Sequence, residues 1–144
     1  RREVKQALSI IVMVGCVLAT GCEGNSDNGT STGVLAGTKW KLSGWSVSSL
    51  DPSRFTITAD FGDSQISGTS AVNLYGGPYT ATADGAFSVG MLHATEMAGS
   101  DDEMRAESLY LDLLRQAHRY SVTEAALTLK NGGNHEILIF HARW

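Results

Sequence analysis

The spacing of apolar residues changes period along this chain. From Val34 to Trp144, apolar residues recur mostly at every second position in short runs; once, between Ser100 and Ala117, they recur every third or fourth. A period of two belongs to a half-buried strand, and a period near 3.6 to a helix with one buried face. Thr38–Leu42 alternates, with Trp40 and Leu42 on one side. Phe55–Phe61 gathers Phe55, Ile57, Ala59 and Phe61 on one face. Gly62-Asp63-Ser64 predicts a turn into Gln65–Gly68, and Gly76-Gly77-Pro78 predicts a break before Tyr79–Thr82. Asp84-Gly85 is a hairpin signal leading into Ala86–Val89. Further strands are expected at Tyr120–Val122, Ala126–Leu129 and His135–Phe140, the last two joined by an Asn131–Asn134 turn. Strands this short, linked this tightly, pair antiparallel.

The helical stretch carries its own start signal. Ser100-Asp101-Asp102-Glu103 is a capping box, in which Ser100 caps and Glu103 reaches back to its amide. Ala106, Tyr110, Leu113, Leu114 and Ala117 form the apolar stripe; Arg105, Glu107, Asp112, Arg115 and Gln116 are expected in solvent. Acids in the first turn and Arg115 and Arg119 at the other end both suit the helix dipole. The expected class is α+β, with the helix against the concave face of a curved antiparallel sheet.

Residues before Val34 have a different character. Arg1-Arg2-Glu3-Val4-Lys5 is followed by 17 uncharged residues from Gln6 to Cys22. That is a basic region and then a short apolar one, the pattern of a secretory signal. A comfortable membrane span needs roughly 20 mostly apolar residues, which makes a permanent anchor the weaker reading. Leu18-Ala19-Thr20-Gly21-Cys22 looks like a bacterial lipobox, with Cys22 the lipidated residue. A soluble secreted product and an uncleaved anchor are the alternatives. Residues 1–21 are therefore expected to be a lipoprotein signal peptide and 22–33 a lipidated cysteine with a flexible tether. The stretch Glu23–Gly33 has no large apolar residue with which to offset the entropy of ordering. Residues 34–144 form the folded domain.

Charge narrows the partners. The chain has 11 Lys plus Arg against 15 Asp plus Glu, a net charge of −4, and removing residues 1–21 makes it −6. Such a balance argues against nucleic-acid binding. It also predicts that membrane hold comes from the lipid rather than from electrostatic attraction to anionic headgroups.

With the elements in this order, the chain resembles the META domain family, which includes HslJ-like bacterial heat-shock lipoproteins. Leu35-Ala36-Gly37-Thr38-Lys39-Trp40-Lys41-Leu42 is similar to the family's leading Leu-x-Gly-Thr-x-Trp-x-Leu strand. Ile66–Tyr79 is similar to its Val-Ser-Gly-x-x-Gly-Cys-Asn-x-Tyr-x-Gly-x-Tyr segment. Ala94-Thr95-Glu96-Met97-Ala98, Asp102–Glu107 and Leu127-Thr128-Leu129 complete the match. The resemblance implies an open-barrel-like sheet with one helix packed on it, and an association with stress response rather than a defined reaction. One departure is informative. Where many relatives have a pair of cysteines, this chain has Val72 and Gly99, so the resemblance implies that these two are neighbours and that the bridge is absent. Stability then rests on packing, without the roughly 2–4 kcal/mol of a disulfide.

No residue cluster points to catalysis, a cofactor or a metal. His93, His118, His135 and His141 form no chelating pair; a continuous strand would hold the last two about 20 Å apart, too far for one ion. No nucleophile elbow is present. Asp60-Phe61-Gly62 reads as a strand end and turn, and Gly76-Gly77-Pro78 lacks the Lys of a phosphate loop. Asp101-Asp102-Glu103 is better explained by capping than by cation binding. The most distinctive polar element is Asn73 with Tyr75, Gly76 and Gly77, a corner that either satisfies buried backbone or binds something. Trp40, Trp45 and Tyr79 are expected as core or rim aromatics.

These readings combine into a non-enzymatic, monomeric, lipid-anchored binding or scaffolding module of the cell envelope. It would sit on the bacterial outer membrane or the outer face of the plasma membrane, with an envelope protein as partner. The alternatives are a carrier of a lipid or small hydrophobic ligand, which needs a cavity beneath the helix, and a hydrolase with a dispersed site.

Overall fold

Alternation about Trp40 and Leu42 produces β1 (Lys39–Trp45), with those two side chains buried and Lys39 and Lys41 exposed. The computed structural model describes residues 34–47 and 49–143. The expected leader, Cys22 and the tether lie outside the described residues. The next strands are β2 (Thr58–Phe61), β3 (Gln65–Thr69), β4 (Leu74–Ala81), β5 (Phe87–Val89) and β6 (His93–Ala94). Helix α1 (Asp101–Gln116) follows, then β7 (Arg119–Val122), β8 (Ala126–Lys130) and β9 (Glu136–Ala142).

All pairings are antiparallel, in the order β5-β4-β3-β2-β1-β9-β8-β7, with β6 added to β4. The two ends of this path meet. Ala86 bridges Arg119, Phe87 N–H donates to the His118 carbonyl at 2.9 Å, and Tyr120 N–H donates to the Gly85 carbonyl at 2.9 Å. The sheet is therefore a nearly closed barrel, which removes most of the exposed strand edge. The α+β class and the curved sheet with one packed helix are as the sequence implied.

Helix α1 begins as its capping box predicts. Ser100 Oγ accepts from Glu103 N–H at 3.3 Å, and the Glu103 carboxylate accepts from Ser100 N–H at 2.8 Å. Those bonds hold the Glu103 carboxyl below the usual carboxylate range. The buried stripe is the expected one, with Leu111 added. Tyr110 is fully buried, its ring edge-on to Tyr75 at 5.4 Å and to Phe140 at 6.3 Å. Leu42, Ile57, Ile66, Leu114, Leu127, Leu129 and Leu138 complete a filled interior. Each contributes roughly 1.5–3 kcal/mol of burial. Among the described residues, every buried core side chain lies between Leu35 and Phe140, so the domain carries this core within itself.

Three local expectations are corrected. Gly76-Gly77-Pro78 is not a break; it runs through the middle of β4. A Cβ on Gly77 would stand 2.6 Å from the Met91 carbonyl oxygen, so glycine is required there by a crossing backbone rather than by a turn. The Phe55–Phe61 strand is shorter than its alternation, because Phe55 ends a 3-10 turn at Pro52–Arg54 and Ile57 makes only an isolated bridge to Ser70. Glu107, expected in solvent, is buried.

Candidate functional site

Glu107 leads to the most connected polar site among the described residues. Between β3 and β4, Ser70 N–H donates to the Asn73 carbonyl at 2.8 Å, closing a tight turn over Ala71 and Val72. Ala71 has φ +84°, a backbone conformation that favours glycine. The turn aims Ser70 and Asn73 at the first turns of α1. There Glu107 Oε2 accepts from Ser70 Oγ at 2.8 Å and from Asn73 N–H at 2.9 Å. Its Oε1 accepts from Asn73 Nδ2 at 2.9 Å. One carboxylate thus binds the turn through three donors, in bonds stronger than neutral ones.

The rest of the Asn73 side chain faces the segment that leads into α1. Oδ1 accepts from Met97 N–H at 2.6 Å and Thr95 Oγ1 at 2.8 Å, while Nδ2 also donates to the Met97 carbonyl at 3.2 Å. Asn73 is 1% exposed and both its polar side-chain atoms are used twice, so it joins turn, connecting segment and helix. Tyr75, two residues on, continues inward. Its hydroxyl donates to the Thr58 carbonyl at 2.8 Å, and so must accept from Tyr110 Oη at 2.6 Å. Burial raises both phenols well above the usual tyrosine range, and both stay protonated. Gly76 and Gly77 let the Met91–His93 segment lie against β4. The four residues of the predicted corner are therefore together, and Glu107, Thr95 and Ser70 belong with them. Sequence reading missed Glu107 because its partners stand 34 and 37 residues away.

Val72 and Gly99 are neighbours, as the resemblance implied. A Cβ on Gly99 would lie 2.6 Å from Val72 Cγ2 and 3.3 Å from Cγ1. The four histidines are exposed. Among the described residues, no three His, Cys, Asp or Glu side chains converge to hold a metal ion. Asp101, Asp102 and Glu103 stand in the first turn of the helix, where Glu103 completes the capping box with Ser100. Trp40 and Tyr79 are buried, and half-buried Trp45 donates from Nε1 to the Leu50 carbonyl at 2.8 Å.

The surface offers open clefts. One of about 330 Å³ lies over the corner and is lined by Asn73, Thr95, Glu96, Met97, Ala98, Met104 and Glu107. Another of about 460 Å³ runs on from Met104 to Leu109, Val47 and Leu50. Met97 is 55% exposed and Leu74, beside Asn73, is 60% exposed. A third, of about 540 Å³, opens where β1 begins, β9 ends and β7 turns into β8. Beneath the helix, the Tyr110 ring packs edge-on to Tyr75 at 5.4 Å and to Phe140 at 6.3 Å.

A family model described as META domain matches residues 33–144. A solution structure of a protein from Burkholderia xenovorans is similar at 28% identity, with a TM-score of 0.64 over 78% of this chain and 86% of that one. The crystal structure of a DUF4847 family protein from Bacteroides vulgatus is 12% identical, with a TM-score of 0.58 over 78% of this chain and 96% of its own, a likeness of fold alone. A comparison with curated proteins gives no match.

Proposed function

Because the chain belongs to the META domain family, we propose that its domain is a non-enzymatic binding module, held at the cell envelope by a lipid on Cys22. The observation that carries this reading is the exposed apolar surface over the Asn73 corner. Polar groups beneath it are satisfied internally, whereas Met97 and Met104, which line the cleft above it, remain exposed. Methionines adapt to the shape of a partner and are favoured on binding surfaces. Acids adjoin it: Glu96 lines the cleft, Asp101 and Asp102 are exposed in the first turn of α1, and Arg105 already faces Asp102 at 3.7 Å. The fitting partner is an envelope protein that presents an apolar segment flanked by Lys or Arg.

In-cell crosslinking and affinity capture test this. The wild-type chain should capture a partner that Met97→Asp/Met104→Asp loses and that Thr80→Asp, an exposed change on β4, retains. Equal capture by all three chains contradicts the reading.

A further inference from the structure

Net charge conceals a local arrangement. Pairing of β1 with β9 sets Lys41 directly opposite His141, and Arg143 N–H donates to the Lys39 carbonyl at 2.8 Å. Since Trp40, Leu42 and Phe140 face the core, Lys39, Lys41, His141 and Arg143 lie together on the outer face, all exposed. Asp60 is the acid within this stripe, 2.6 Å from Arg143. The stripe borders the cleft at the barrel mouth, where Lys39 and Arg143 meet Val34, Val122 and Ala142, with Glu124 on the rim. The exposed acids Glu96, Asp101 and Asp102 lie on and before α1 instead.

We propose that the outer face of β1 and β9 is the membrane-facing surface of the anchored domain and docks on anionic phospholipid headgroups. This rests on the reading that Cys22 carries the lipid. Val34, the first described residue, lines the same cleft as Lys39 and Arg143, so the tether leaves the domain at the edge of the basic stripe. A lead of 11 residues, the number between Cys22 and Val34, would span roughly 17–20 Å if it behaved as a random coil. So short a lead presents the face around Val34 to the bilayer. Screening makes the local charge decisive: the Debye length is about 8–10 Å, so headgroups in contact with the stripe respond to it more than to distant acids. Each basic residue near an anionic surface favours contact by about fivefold. With Asp60 and Glu124 offsetting two of the three Lys and Arg residues, the bias toward this orientation is about fivefold. Val34, Val122 and Ala142 give the same face an apolar edge at headgroup depth.

Chain 22–144 contains one cysteine, Cys22, and three lysines, Lys39, Lys41 and Lys130. Cys22 can therefore be coupled to a maleimide lipid in vesicles of phosphatidylcholine, with or without phosphatidylglycerol, and the lysines then acylated and read by mass spectrometry. On the anionic vesicles, Lys39 and Lys41 should be acylated about threefold more slowly relative to Lys130 than on the neutral ones, and Lys41→Glu should restore reactivity at Lys39. Equal ratios on both vesicles, or protection of Lys130 instead, overturn the proposal. Lipidation of Cys22 in cells is measured separately, so an anchored chain without protection overturns only the docking face. Protection without lipidation in cells overturns the anchor.

Discussion

Replacing both Val72 and Gly99 by cysteine should create a disulfide that this chain lacks. A Cβ at position 99 lies 2.6 and 3.3 Å from the two γ-carbons of Val72. Across a disulfide, a Cβ stands roughly 3 Å from the opposite sulfur, so a sulfur replacing either γ-carbon at position 72 is within reach without backbone movement. The bond would close a loop of about 28 residues, for which chain entropy gives about 3.6 kcal/mol of stabilisation. In a domain of this size that corresponds to a rise in Tm of about 15 °C. The assay compares one protein with itself: V72C/G99C in the 22–144 chain, with Cys22→Ser to prevent mispairing, melted with and without reductant. Comparing oxidised with reduced protein cancels the cost of losing Val72. Two titratable thiols persisting after oxidation, or coincident melts, would refute the placement of the helix entry against the turn.

Three further substitutions or conditions test the site itself. Glu107→Gln should cost about 2 kcal/mol in urea unfolding, because the new amide puts N–H against at least one donor, Asn73 or Ser70; an unchanged midpoint would remove the corner from the stability account. Ala71→Gly should stabilise the fold by roughly 0.5–1 kcal/mol, read as a higher midpoint at constant m, since it relieves an L-residue at φ +84° while adding backbone entropy to the unfolded chain. Above about pH 10 stability should fall by about 1.4 kcal/mol per pH unit for each buried tyrosine. Burial raises Tyr75 and Tyr110, so the folded chain keeps protons that the unfolded chain releases. Tyr110→Phe should remove one tyrosine's share, about 1.4 kcal/mol per pH unit, from the slope above about pH 10, and an unaltered slope would contradict the burial argument.

What was legible in the sequence was local. The capping box and helical stripe depend on residues three or four apart, and both formed as expected. Alternation around Trp40 fixed which side of β1 faces the core. Gly76 and Gly77 were misread because a glycine needed for a turn and one needed for a close approach look alike until the Met91 backbone is in place. Glu107 fits the polar face of the helix by spacing, and only the fold brings it to Ser70 and Asn73. The basic stripe was hidden for the same reason: Lys41 and His141 are one hundred positions apart in the chain and opposite each other in the sheet.

A binding domain held at the envelope through Cys22 requires a lipid on that cysteine, which metabolic labelling with an alkyne fatty acid reads out. The wild-type chain should acquire the label and fractionate with membranes, and Cys22→Ala should do neither. A Cys22→Ala chain that still takes up label, or a wild-type chain that takes up none, would contradict it.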